Sequence, residues 1–255
     1  MDTSAKGLRV LITAGAAGIG RVMAQTFVEQ GARVHVCDVD EDALSKVKDP
    51  FHKTKADVSS LADVERLFDD VQRTLGGLDV LVNNAGIGGP TAKVEDIRPE
   101  DWDRCIAIDL NGMFYCTRKA MPLIKAAGGG SIINLSSIAG RLGFPLRTPY
   151  AAAKWAVVGF TQSLAAEAGP QGVRVNCIQP GIVEGDRVDR IVAAKAEAMG
   201  IPAQEVLDRM VEGVSLKTTV TAQDVANTAL FLASAAGRHI SGQALSVCGG
   251  VRYLV

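Results

Sequence analysis

Arg9-Val-Leu-Ile-Thr-Ala-Gly-Ala-Ala-Gly-Ile-Gly20 joins an apolar run to a glycine-rich turn and the start of a helix. Arg9–Thr13 is short, apolar and rich in β-branched residues, the pattern of a buried strand. After the turn, Ile19, Val22, Met23 and Phe27 fall on one helical face, so residues 18–30 read as a helix. A second strand follows at 33–37 (RVHVC). Working outward, strands are expected at 53–56, 79–83 (DVLVN), 131–135 (SIINL), 174–178 (RVNCI) and Ala244–Val247 (ALSV). Between them, residues 63–75 show the clearest helix, with Val64, Leu67, Phe68, Val71 and Leu75 at i, i+3, i+4, i+7 and i+11. Most strands are continuous apolar runs, which suits a parallel sheet buried on both faces. Strand–helix–strand repetition with right-handed crossovers makes a doubly wound α/β sheet of Rossmann type, three layers deep. No linker or repeat divides the chain, so 1–255 is expected to form one domain. Residues 180–217 form a charged, helix-rich insertion between the last two strands, a candidate lid over about 182–217.

The 255 residues are 47% hydrophobic and 22% charged, which excludes disorder and supplies one large core. Lys plus Arg (27) balances Asp plus Glu (28), so no bulk positive field draws nucleic acid or anionic lipid. No apolar run is long enough to span a bilayer, and the start has no secretory pattern. The five cysteines are scattered without a CxxC pair. They read as reduced, mostly buried thiols of a cytoplasmic protein, with no metal site.

A glycine turn between a first strand and a first helix lets backbone amides meet a diphosphate, although a tight turn without ligand gives the same pattern. Asp38 adds to the first reading. It stands 18 residues beyond Gly20, where a carboxylate would accept both hydroxyls of an adenosine ribose and repel a 2′-phosphate. No Arg or Lys lies in the turn, and Val39 follows Asp38. NAD is therefore favoured over NADP.

Tyr150-Ala-Ala-Ala-Lys154 opens another helix, and a spacing of four puts both side chains on one face. A phenol is a weak base at neutral pH, but a neighbouring ammonium stabilises the phenolate. Such a pair can take a proton from an alcohol as hydride leaves, or return it to a ketone. Alone, the spacing is equally that of a surface pair. Ser137, just past strand 131–135, places a hydroxyl at the end of the sheet where open α/β folds bind ligands.

Thr13-Ala-Gly-Ala-Ala-Gly18-Ile-Gly20, Asp57-Val58, Asn83-Asn-Ala-Gly86, Asn111, Ser137, Tyr150-x-x-x-Lys154 and Pro180-Gly181 occur in order and at matching separations. In these motifs the chain resembles the short, single-domain branch of the short-chain dehydrogenase/reductase family from Lys6 onward. The resemblance implies that Tyr150 is the general acid/base, that Lys154 stabilises its phenolate and holds the nicotinamide ribose, and that Ser137 binds the substrate oxygen. Asn111 would organise a water relay to Lys154. Gly15, Ala17, Gly18, Ile19 and Gly20 would cradle the diphosphate. Asp57 and Val58 would bind the adenine, Asn84, Ala85 and Gly86 would flank the cofactor, and Pro180, Gly181 and Val183 would lie beside the nicotinamide amide. Three positions depart from the family pattern. Ala14 replaces the first glycine of the turn, Gly185 stands where a Thr often contacts the carboxamide, and Cys248 replaces the usual Asn or Asp before Gly249-Gly250.

The substrate is less legible. Arg147 and Arg141 lie on the segment joining Ser137 to Tyr150, where either can pair with a carboxylate or phosphate or simply face solvent or another subunit. In the insertion, Val206, Met210 and Val214 recur at spacing four, either packing lid on body or walling a pocket. Trp155 is expected in the core. The leading expectation is an NAD-dependent oxidoreductase interconverting a secondary alcohol and a ketone, acting on a small polar, hydroxy-acid or polyol-type alcohol. A 3-oxoacyl-type reductase and a non-catalytic NAD(H)-binding regulatory protein are the alternatives. A sugar-nucleotide epimerase would need a further C-terminal domain. The resemblance also implies a homotetramer, with helices at 102–126 and 150–168 paired across subunits.

Overall fold

The computed structural model describes residues 3–254. Seven strands, β1 (Arg9–Thr13), β2 (Arg33–Asp38), β3 (His52–Lys55), β4 (Val80–Asn83), β5 (Gly130–Leu135), β6 (Val173–Pro180) and β7 (Ala244–Val247), form one sheet. Their order is β3-β2-β1-β4-β5-β6-β7, and every neighbouring pair is parallel. The chain winds outward one way from β1 to β3, then returns to β4 on the other side of β1. The crevice at that reversal, at the carboxyl ends of β1 and β4, is where such sheets receive ligands.

Helices cover both faces: α1 (Gly18–Glu29), α2 (Glu41–Ser45), α3 (Leu61–Leu75), α4 (Pro99–Ile106), α5 (Gly112–Ala126), α6 (Thr148–Ala168), α7 (Asp186–Met199), α8 (Ala203–Glu212) and α9 (Ala222–Ala233). Strand alternation sorts the core. Val10 and Ile12 face α1 and α9, meeting Met23, Phe27, Val225 and Leu230. Leu11 points the other way, into Leu67, Phe68 and Val71 of α3 and Cys116 and Ile124 of α5. Because both faces of each central strand are buried, the strand sequences show no polar alternation.

The helix ends follow local chemistry. Ser60 caps α3 by accepting from the Asp63 amide at 3.3 Å, and Gly76 ends it in the left-handed region at φ 75°. α9 opens with a capping box between Thr221 and Asp224. The expected helix over 102–126 is one continuous rod from Pro99, but Ala107–Asn111 within it is a π-helical turn joining α4 to α5.

The insertion after β6 folds as α7 and α8, joined through Gly200 at φ 66°. A parallel bridge between Val183 and Val220 closes its neck. Val206, Met210 and Val214 are buried with Ile138, Cys248 and Val251, so this stripe packs lid on body. Trp155 departs from expectation. It is 52% exposed on α6, with Phe114 of α5 and Trp102 of α4 also outward. The inward face of α6 is taken by Ala153, Lys154 and Val157, which turns the Trp155 position away from the sheet.

Candidate active site

The turn after β1 is built for close backbone approach. A Cβ on Gly15 would meet the Val36 side chain at 2.7 Å, and one on Gly20 would overlap the Ala14 carbonyl and lie 2.6 Å from Asn84 Nδ2. Gly18 takes a positive φ of 52°. Ala14, at the departure from the family pattern, also sits in the left-handed region at φ 49°, a conformation glycine adopts at less cost. Ala17 caps α1 without a side-chain hydrogen bond, so no side chain claims the first-turn amides around Gly18, Ile19 and Gly20. Asp38 ends β2 and accepts from the Ala16 amide at 3.2 Å, bending its carboxylate toward the turn; Val39 is exposed beside it.

The floor of the crevice is a web of backbone and side-chain bonds. Asn84 Nδ2 donates to the carbonyls of Thr13 and Ala14, both at 3.0 Å. The Asn84 and Ala85 amides donate to Thr13 Oγ1 at 3.0 and 2.9 Å. Below them, Asn83 Nδ2 donates to Thr117 and to Asn134, which donates to Thr161, tying β4, β5, α5 and α6 together. Asp57 accepts from the Ser59 amide and hydroxyl, and Val58 is buried against Gly112. At the far side the Gly181 amide donates to Val247, and a Cβ on Gly181 would meet Cys248 Cα at 2.8 Å. Pro180 closes β6 and Val183 joins the lid neck. Gly185 takes φ 121° at the N-cap of α7, a backbone that an L side chain such as Thr rarely adopts. A dinucleotide fits this cradle: bare helix amides for the diphosphate, glycines without room for Cβ, and a carboxylate at the end of β2. Among the described residues no group of His, Cys, Asp and Glu can hold a metal ion.

Ser137 follows β5, and its Oγ accepts from the Ala139 amide at 3.2 Å, fixing a tight turn. Tyr150 stands in the first turn of α6 and Lys154 one turn later. Lys154 is buried. Its Nζ donates to the Leu135 carbonyl at 3.0 Å and lies 5.5 Å from the centre of the Tyr150 ring. The ionic partner of this ammonium is Asp109. Asn111 is exposed and makes no side-chain hydrogen bond, whereas Asp109, fully buried, meets Lys154 Nζ at 3.2 Å and accepts from the Ile87 amide at 2.7 Å. The π-helical turn decides between them, because its wider winding carries Asp109 to the inner face and Asn111 to the outer. Ile108-Asp-Leu-Asn111 offers two polar residues two apart, which lie on different helix faces, and only the local winding says which one enters.

The two arginines of the Ser137–Tyr150 segment part company. Arg141 is exposed and donates to Ser246 of β7 at 3.3 Å. Arg147 is buried, donates to the Gly88 carbonyl, and lies 5.4 Å from the centres of both the Tyr150 and Phe144 rings. From the lid, Arg187 reaches over Tyr150 at 5.9 Å and donates to the Gly86 carbonyl at 3.3 Å. Lys195, also on α7, is buried with its Nζ 4.4 Å from the centre of the Phe144 ring. Burial, then the nearby Arg147 charge, pulls its ammonium down to about 8, and burial likewise lowers Arg147. The sequence hid Lys195 because a Lys on a charged, amphipathic helix reads as solvated. A separate open depression, between residues 142–145 and Arg252–Leu254, holds none of Ser137, Tyr150 and Lys154.

A family model described as "Enoyl-(Acyl carrier protein) reductase" matches residues 14–252. Momilactone A synthase of Oryza sativa subsp. japonica is 38% identical over 253 residues, covering 96% of this chain and 90% of that protein. D-beta-hydroxybutyrate dehydrogenase of Cupriavidus necator is 36% identical over 254 residues, covering 96% and 97%. The solved structure of an NAD+-bound xylitol dehydrogenase superposes with a TM-score of 0.92 at 26% identity, covering 96% of this chain and 99% of that one.

Proposed function

The chain belongs to the short-chain dehydrogenase/reductase family of oxidoreductases, and from that premise we propose that it is an NAD-dependent dehydrogenase interconverting a small polar secondary alcohol and its ketone. The observation that carries the proposal is the gathering of Ser137, Tyr150 and a buried, tethered Lys154 at the carboxyl edge of the sheet, beside the glycine cradle. Tyr150 takes the hydroxyl proton of the alcohol, or gives it to the ketone. Lys154, its ammonium held by Leu135 and Asp109, stabilises the phenolate that Tyr150 passes through and holds the nicotinamide ribose. Ser137 donates to the substrate oxygen as charge develops on it. Asp109 positions Lys154 and acts through it. When bound, the nicotinamide supplies the hydride acceptor or donor. Asp38, with no Arg or Lys in the turn, favours an unphosphorylated ribose and therefore NAD.

The same carboxylate speaks against a 3-oxoacyl-type reductase that uses NADPH, and the presence of Ser137, Tyr150 and Lys154 together speaks against a purely regulatory NAD(H)-binding protein. The relatives' names span a momilactone, a hydroxy acid and a polyol, so family membership leaves the substrate open. We further propose one folding unit bearing cradle, catalytic residues and lid, a small-molecule substrate in the cytoplasm, and a homotetramer. The exposed Trp102, Phe114 and Trp155 on α4, α5 and α6 support the last, and sedimentation velocity checks it. No helix of the described residues is long and apolar enough to cross a membrane.

The test is NADH formation at alkaline pH across 3-hydroxy acids, polyols, sugars and cyclic alcohols, alongside titration with NADH and NADPH. Tyr150→Phe is expected to lose about 10³-fold in kcat while binding NADH as before. A variant that keeps its turnover, or a wild type that prefers NADPH, overturns the corresponding half of the proposal.

A further inference from the structure

Two cations are sealed inside the protein with no anion to meet them. Lys195 is fully buried, and its Nζ has no hydrogen-bond partner. Arg147 is 1% exposed; one of its terminal nitrogens donates to Gly88, but Nε has no partner. Both press on the Phe144 ring from different elements, Lys195 from the lid and Arg147 from the entry to α6. Neither takes part in any ion pair among the described residues. The carboxylate whose field reaches Arg147, Asp109, is already held by Lys154 and the Ile87 amide. A buried ammonium left unpaired is costly, and the cation–π contact with Phe144 replaces only part of the lost hydration. Such a group is expected where a ligand completes the site.

We propose that Arg147 and Lys195 form the seat of a carboxylate on the alcohol substrate, so that this dehydrogenase selects short hydroxy acids. The inference rests on the alcohol–ketone reading above and names its substrate class. Arg147 supplies the planar fork that suits a carboxylate, and Lys195 supplies a point charge from the lid helix α7. The guanidinium lies 5.4 Å from the Tyr150 ring centre, so an anion on it stands close to the reacting carbon. The substrate class is thus a short 2- or 3-hydroxy acid. The carbinol loses a hydride to the nicotinamide and its hydroxyl proton to Tyr150, leaving the oxo acid; the carboxylate is unchanged. Arg187, over the same Tyr150 ring, adds to the positive field without being buried.

The experiment has two arms. The first compares kcat/KM for 2- and 3-hydroxybutyrate with that for the matching hydroxybutyramides, in the wild type, Lys195→Met and Lys195→Arg. The acids are expected to lead by about 100-fold, Lys195→Met to cut that lead about tenfold or more, and Lys195→Arg to restore part of it. The second follows malonate binding to the NADH-loaded protein by nicotinamide fluorescence, which needs no turnover. Malonate is expected to bind the wild type and to weaken about tenfold or more in Lys195→Met, while the ligand-free variant keeps or gains melting temperature because an unpaired charge is gone. Equal turnover of acids and amides overturns the proposal. So does malonate binding that is absent, or identical in wild type and Lys195→Met. A Lys195→Met protein that only melts earlier marks the lysine as structural. Malonate binding that survives in Tyr150→Phe isolates the carboxylate seat, whereas a Tyr150→Phe protein that still turns over sinks the alcohol–ketone reading instead.

Discussion

Thr13 and Asn84, beside the glycine turn, spend their polar atoms on protein backbone; Lys195 and Arg147, beneath the lid, spend theirs on an aromatic ring and one carbonyl. The first region is complete before any ligand arrives. The second is complete only with something added. Breaking a bond in the first should therefore cost stability, while changing a charge in the second should change selectivity. Asp109 stands between the two, since it ties buried Lys154 to the Ile87 amide of the loop that also accepts from Arg147 and Arg187.

Asp109→Ala is the most severe way to break that contrast. It leaves Lys154 buried without a counter-charge, for an expected loss of about 3–5 kcal/mol in urea denaturation. Asp109→Asn keeps an acceptor for Ile87 and should recover part of the loss. A cost under about 1 kcal/mol would mean that water already reaches Lys154. The next effect lies wholly in the half of the sheet that carries the glycine turn. His35 is buried between the hydroxyls of Thr74 and Thr54, and burial, then the neighbouring His52, lowers it to about 4. Its folded value lies below the unfolded one near 6.5, so its contribution is fully present above pH 6.5 and is lost as the pH falls toward 4, about 3 kcal/mol in all. Stability measured across that window should slope in the wild type and flatten in His35→Gln. The smallest effect sharpens the comparison inside the cradle. Ala14→Gly relieves a left-handed alanine but frees the unfolded chain, for a net gain of about 0.5 kcal/mol, roughly 1–2 °C in melting temperature. A loss would show that the Ala14 methyl packs usefully.

Much of this was readable in the residues alone. Most strands announced themselves as apolar runs because both sheet faces are covered, although polar β3 did not, and Ser137 follows β5 at the sheet's carboxyl edge. What escaped has physical reasons. That Asp109 faces Lys154 directly depends on a single π turn, which no period-3.6 pattern reveals. α9 carries a capping-box signal in Thr221-Ala-Gln-Asp224, which marks its start. Trp155, expected in the core, is turned outward by the direction of its position on α6. Arg141 and Arg147 are indistinguishable by residue type, and only the turn capped by Ser137 sends one to Ser246 and the other to Tyr150.

The five cysteines have a practical consequence. All are buried and unpaired, and burial pushes Cys105 and Cys177 up to about 11 and Cys116 up to about 12. A thiol that is neither ionised nor reachable ignores alkylating reagents until its surroundings open. Each cysteine is thus a built-in clock. Cys37 on β2 and Cys116 on α5 share the core beside α3, Cys177 sits on β6, and Cys248 packs under the lid. Timed labelling followed by peptide mass would report, thiol by thiol, how often each part of the native molecule breathes.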